Sequence, residues 1–102
     1  MAFFTRVESI STDTLQQLLV KKPQIVDVRR PDEYEAGHIP GALNFPYEQI
    51  TEYHPTTKVY LICHSGVRSK RAAKKLKGRG YDVVNVLGGL VAWNGEIKKG
   101  ND

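Results

Sequence analysis

Cys63 is the only cysteine in a chain of 102 residues, and the residues after it are unusually reactive in kind. The stretch CHSGVRS, Cys63 to Ser69, holds a thiol, the His64 imidazole, hydroxyls at Ser65 and Ser69, and the Arg68 guanidinium. Val67 is its one aliphatic side chain, and Gly66 permits backbone dihedrals closed to other residues. A backbone that turns at Gly66 and then enters a helix points several N–H groups into one concavity. Such a nest favours an anion, either a thiolate or a bound oxyanion. Arg68 adds a fixed positive charge and a planar fork of donors. These features favour the thiolate, the nucleophilic form of cysteine. The bland alternative is that a lone cysteine after an apolar strand is an inert small hydrophobe. The arginine, the glycine and the basic helix that follows weigh against it.

Other chemistry is poorly supported. A cysteine–histidine acyl-transfer pair needs the two side chains to converge, and adjacent loop residues often diverge. The role of His64 is therefore open. One cysteine and histidines at 38, 54 and 64 show no metal-ligand spacing. HSGVRSKR lacks the spaced glycines and Gly-Lys-Ser/Thr ending of a phosphate-binding loop. His38 sits in a glycine- and proline-rich turn and reads as a structural, hydrogen-bonded histidine. His54 reads as a loop residue and Trp93 as core.

The elements that must position Cys63 alternate between strand and helix. Thr5 to Ile10 reads as a first strand. Ser11 or Thr12 can cap a helix over Thr14 to Val20, with Leu15, Leu18 and Leu19 at helical spacing and Pro23 stopping it. Gln24 to Val28 is a short apolar strand. Pro31 opens a helical turn with Asp32, Glu33 and Glu35 suited to its N-terminus. GHIPGALNFP, residues 37 to 46, is loop and short strand. Tyr47 to Tyr53 reads as a further turn of helix. Lys58 to Ile62 is a strand apolar enough for burial on both faces. Ser69 to Lys77 is a helix with Ala72, Ala73 and Leu76 facing the sheet, and Gly80 is its expected left-handed cap. Asp82 to Leu87 is the last strand, and Gly89 to Ile97 a final helix. This order argues for a mostly parallel sheet covered on both faces, with ligands at the carboxyl ends of its strands. Cys63 lies at such an end.

Composition sets the outer bounds. The length suits one small domain over residues 1–102, able to bury a modest core. One cysteine leaves no intrachain disulfide and suits a reducing compartment. MAFFTRVES offers too short an apolar patch for a secretory signal, and no apolar run approaches the ~20 residues of a membrane span. The expectation is a cytoplasmic protein with no membrane contact. The formal net charge is +4. Much of the excess lies in Arg68, Lys70, Arg71, Lys74, Lys75, Lys77 and Arg79. Such a helix is commonly a solvated face, but it also suits an acidic partner or an anionic substrate. Charge is the only support for nucleic acid, without recognition motif or stacking aromatics, so none is expected.

The Cys63–Ser69 loop resembles the active-site loop of single-domain rhodanese-like sulfurtransferases: cysteine, two variable residues, glycine, one variable residue, arginine, serine. VDVRRPDEYEAGHIPGALNFP, Val26 to Pro46, is similar to that family's upstream signature. VLGGLVAW, Val86 to Trp93, is similar to its closing segment. The resemblance implies a small α/β rhodanese-like domain, with a central, mostly parallel five-stranded sheet and helices on both faces. It implies Cys63 as catalytic nucleophile and His64, Ser65, Gly66, Val67, Arg68 and Ser69 as the substrate-binding loop. Asp27 and Arg29, at the end of a strand, are expected to brace the domain and help frame the site, and Arg29 could pair with Glu33 or Glu35. The implied reaction moves sulfane sulfur from thiosulfate or a related persulfide, through a Cys63 persulfide, to cyanide or a thiol. It requires no metal or organic cofactor. A protein can also be the sulfur donor or acceptor. Two alternatives resemble the same architecture. One is a binding or sulfur-carrier module. The other is a phosphatase or arsenate reductase, whose loop has five residues between cysteine and arginine where this chain has four.

Overall fold

The computed structural model describes residues 6–101. Its centre follows from two apolar runs. VYLI forms β4 (Val59–Ile62) and VVNV forms β5 (Val83–Val86), and a continuous apolar strand is stable only with both faces covered. QIVD forms β2 (Gln24–Asp27). The short edge strands β1 (Glu8–Ile10) and β3 (Leu43–Asn44) complete a five-stranded sheet in the order β1-β5-β4-β2-β3. Every pairing in it is parallel. Edges only two or three residues long leave little unpaired backbone to recruit another chain. Thr5, expected in the first strand, lies outside the described residues.

Successive side chains of a strand point to opposite faces, and each face has its own helices. On one face Val26, Val59, Leu61 and Val83 pack with Ile50 and with Ala72, Ala73 and Leu76 of α3 (Val67–Gly78). On the other, Ile25, Ile62 and Val86 pack with Leu15 of α1 (Thr12–Leu18), Tyr34 of α2 (Pro31–Ala36), Ile39 and Trp93. Burying a side chain such as Leu76 contributes about 1.5–3 kcal/mol. No helix among the described residues is long and apolar enough to cross a membrane.

Local signals set most boundaries. Ser11 caps α1 by accepting the Thr14 N–H at 3.1 Å, and a 3-10 turn over Leu19–Lys21 ends it before Pro23. The Tyr47 segment is also 3-10, over Tyr47–Glu52. At the end of α3 the Gly80 N–H donates to Lys77 O (2.9 Å) and the Tyr81 N–H to Leu76 O (3.1 Å). These are the two bonds of a Schellman motif, with Gly80 in its left-handed position.

Several boundaries depart from the sequence expectation: α1 spans Thr12–Leu18 where the spacing predicts Thr14 to Val20, and β1 begins only at Glu8. Two further departures bear on the site. Helix α3 begins at Val67, two residues before the expected Ser69, because Gly66 serves as N-cap. The final helix, α4 (Gly89–Ala92), ends five residues early. Trp93 turns to an extended backbone, and its indole N–H donates to Glu96 O at 3.0 Å. Gly95 lies so close to the indole that a Cβ there would sit 2.5 Å from the ring. The chain thus folds back over Trp93, and Lys98 exchanges backbone hydrogen bonds with His38.

Candidate active site

The carboxyl ends of β2, β4 and β5 meet at one edge of the sheet, with Asp27 beside Ile62 and Leu61 beside Asn85. At the end of β2, Asp27 is fully buried, and a buried carboxylate needs a partner. It receives one from two residues away. The Arg29 backbone N–H donates to Asp27 Oδ1 at 3.0 Å, and the Arg29 guanidinium donates from Nε (2.9 Å) and Nη2 (2.7 Å). Arg29 Nη2 also donates to Gly37 O at 2.7 Å. Asn44 Nδ2 donates to the carbonyls of Asp27 and Arg29, each at 3.0 Å. Arg29 therefore pairs with Asp27, not with Glu33 or Glu35 as expected. Nearby, His38 Nδ1 lies 2.8 Å from Tyr34 O, and its ring stacks on Tyr34 with centroids 3.7 Å apart.

Cys63 follows β4 directly and is 1% exposed. Gly66 turns the chain with φ +101°, in the region that favours glycine. That turn brings the amino end of α3 back over the sulfur. The Gly66 N–H donates to Cys63 Sγ at 3.1 Å and the Ser69 N–H at 3.3 Å. Cys63 Sγ lies 3.4 Å from Ser69 Oγ, which donates to Asn85 Oδ1 at 2.6 Å. Ser69 and Asn85 are both buried. Asn85 is absent from the sequence reading; a polar residue inside VVNV was its only signal. The chain VVNV thus carries a polar side chain to the sulfur through Ser69.

The loop rests on α4. The Leu90 N–H donates to Cys63 O (2.9 Å) and the Val91 N–H to His64 O (3.0 Å). This approach needs Gly89, whose φ is +57° and where a Cβ would lie 2.4 Å from Cys63 O.

The Arg68 guanidinium pairs with α2. Its Nη1 donates to Glu33 Oε1 at 2.8 Å and its Nη2 to Glu33 Oε2 at 3.0 Å. Glu33 Oε1 also accepts the Arg30 backbone N–H at 3.0 Å, closing the first turn of α2. The Arg68 hydrogen bonds, helped by that N–H and by the Arg30 charge, hold the Glu33 carboxyl down at about 2. The expected loop residues thus separate into groups. Cys63, Gly66 and Ser69 converge, and Arg68 is clamped to Glu33. The exposed His64 lines a shallow cleft of about 270 Å3 with Arg29, Glu33 and Leu90. Ser65 and Val67 line a different groove, beside Leu87 and Gly88.

The family model for the rhodanese-like domain matches residues 11–96. The chain belongs to the rhodanese-like domain family. This rhodanese-like domain is 37% identical to the Bacillus subtilis protein named "Putative sulfurtransferase YtwF", over 93% of this chain and 98% of that one. It is 40% identical to "Putative sulfur carrier protein YrkF" of the same organism, over 72% of this chain. The curated relatives differ in length, and the matched region spans 66% of one, 43% of another and 98% of a third. Among solved structures, a rhodanese-like domain protein from Staphylococcus aureus superposes with a TM-score of 0.82. It is 36% identical, over 91% of this chain and 98% of that one. The all-parallel sheet is the fold that the family resemblance implies.

Proposed function

We propose that this rhodanese-like domain is a sulfurtransferase that carries sulfane sulfur on Cys63. The observation that supports it best is the pair of backbone amides, from Gly66 and Ser69, aimed at one buried sulfur. A thiolate there gains charge-assisted hydrogen bonds without moving the backbone. Ser69 can turn its hydroxyl toward the charged sulfur as well.

The reaction divides into two displacements. The Cys63 thiolate attacks the outer sulfur of thiosulfate, forming a new S–S bond. The thiosulfate S–S bond breaks, and sulfite leaves with the electron pair. Cyanide or a thiolate then attacks the outer sulfur of the Cys63 persulfide. Cys63 leaves as thiolate, and the product is thiocyanate or a new persulfide. Of the remaining loop groups, His64 lines the cleft beside Arg29, Ser65 and Val67 line the neighbouring groove, and Arg68 is held by Glu33. A single cysteine suits a reducing compartment, so the reading favours the cytoplasm.

Loop length counts against a phosphatase: the resembling phosphatases carry five residues between cysteine and arginine, and this chain carries four, His64 to Val67. The test is turnover of thiosulfate and cyanide, read as thiocyanate, for the protein and for Cys63→Ser. Turnover in the protein and none in the variant is expected. Phosphate-ester hydrolysis without thiocyanate formation would overturn the reading.

A further inference from the structure

Helix α3 has two dissimilar faces. Ser69, Ala72, Ala73 and Leu76 are buried against the sheet. Val67, Lys70, Arg71 and Lys74 recur at helical spacing on an exposed face. Together with Leu87 and Gly88 after β5, that face encloses a groove of about 360 Å3. No carboxylate lines the groove. Lys70, Arg71 and Lys74 make no ion pair among the described residues, and the chain has no Asp or Glu between Glu52 and Asp82. Like charges at i and i+4 destabilise a helix, so Lys70 and Lys74 are a local cost with no internal partner. Val67 and Leu87, 56% and 52% exposed, add apolar shoulders. The groove ends at Gly66, whose N–H touches Cys63 Sγ.

We propose that this groove docks an extended acidic segment of a protein that accepts sulfur from Cys63. The proposal rests on the sulfurtransferase reading and names the acceptor class. Cys63 is 1% exposed, so a thiol on a narrow extended segment suits it better than one on the flat surface of a folded partner. The segment's carboxylates match Lys70, Arg71 and Lys74, and an apolar side chain matches Val67 and Leu87. The lining has no aromatic side chain on which a base could stack. In the transfer, the segment's thiolate attacks the outer sulfur of the Cys63 persulfide. The old S–S bond breaks, a new one forms on the partner, and Cys63 leaves as thiolate. Electrons balance without an oxidant or reductant.

Two measurements test this. The first is binding to the unloaded protein of a labelled peptide with several glutamates, one leucine and a terminal cysteine, read by fluorescence anisotropy. A control peptide carries glutamine at each glutamate. The second is sulfur transfer from the loaded protein to each peptide and to 2-mercaptoethanol, a small neutral thiol. The acidic peptide should bind and accept sulfur about tenfold better than its control, and salt should erase the difference. Lys70→Glu with Lys74→Glu should remove the preference while 2-mercaptoethanol is still served. Equal rates and equal binding for both peptides would overturn the proposal. Salt-sensitive binding of an oligonucleotide with no preference for the acidic peptide would also overturn it. Peptide binding without persulfide formation would instead retain the groove and remove the sulfurtransferase reading.

Discussion

At the scale of single residues, Glu33 does more than its sequence position advertises. It caps α2 through the Arg30 N–H and clamps Arg68 with both oxygens. Its carboxyl is held at about 2, below its ordinary 4.5. A group depressed in the folded state stabilises above its unfolded value, and that contribution is lost as pH falls. The loss should therefore fall between about pH 4.5 and 2. The pair is partly solvated, so the contribution near neutrality is about 1–2 kcal/mol rather than the full value of the shift. Glu33→Gln should lower the urea midpoint at pH 7, and the gap to the native protein should narrow below pH 4.5. A gap independent of pH would mean that the lost contact is steric rather than ionic. This pair was not legible in the sequence. Its members are 35 residues apart, and Arg29 offered a nearer partner for Glu33. Arg29 goes elsewhere because the fully buried Asp27 leaves it no choice.

At the scale of elements, the strands were legible because burial on both faces demands unbroken apolar runs such as VYLI. The helix ends were less so. Gly66 caps α3 without a side-chain signal, and α4 stops where Gly95 comes to lie over the Trp93 indole, a contact between two residues just past the helix end. The same limitation hid the support of the Cys63 loop by α4. In the sequence Gly89 reads only as the start of the final helix, with no sign that it lies against the Cys63 carbonyl. Gly89→Ala places a Cβ in that contact at a positive φ. It should destabilise the domain by about 1–3 kcal/mol and slow thiosulfate turnover further by moving the Leu90 and Val91 amides off the loop. Chemical denaturation and thiocyanate assays on the folded fraction separate the two effects. Unchanged turnover by that fraction would show that α4 does not tune the loop.

At the scale of the whole molecule, a parallel sheet gathers strand ends from distant parts of the chain, and the sulfur sits where they meet. β2 supplies the Asp27–Arg29 brace, β4 delivers Cys63, and β5 supplies Asn85 behind Ser69. The amino end of α3 then covers the sulfur from above. Such a site should accept a second sulfur atom at Cys63 and hold it until an acceptor arrives. The most direct measurement is the intact mass of the purified protein after incubation with thiosulfate, with Cys63→Ser alongside. A gain of about 32 daltons, removed by reductant and absent from the variant, is the expected result. A folded protein with a reduced Cys63 that gains no sulfur from thiosulfate or a persulfide donor would contradict the account.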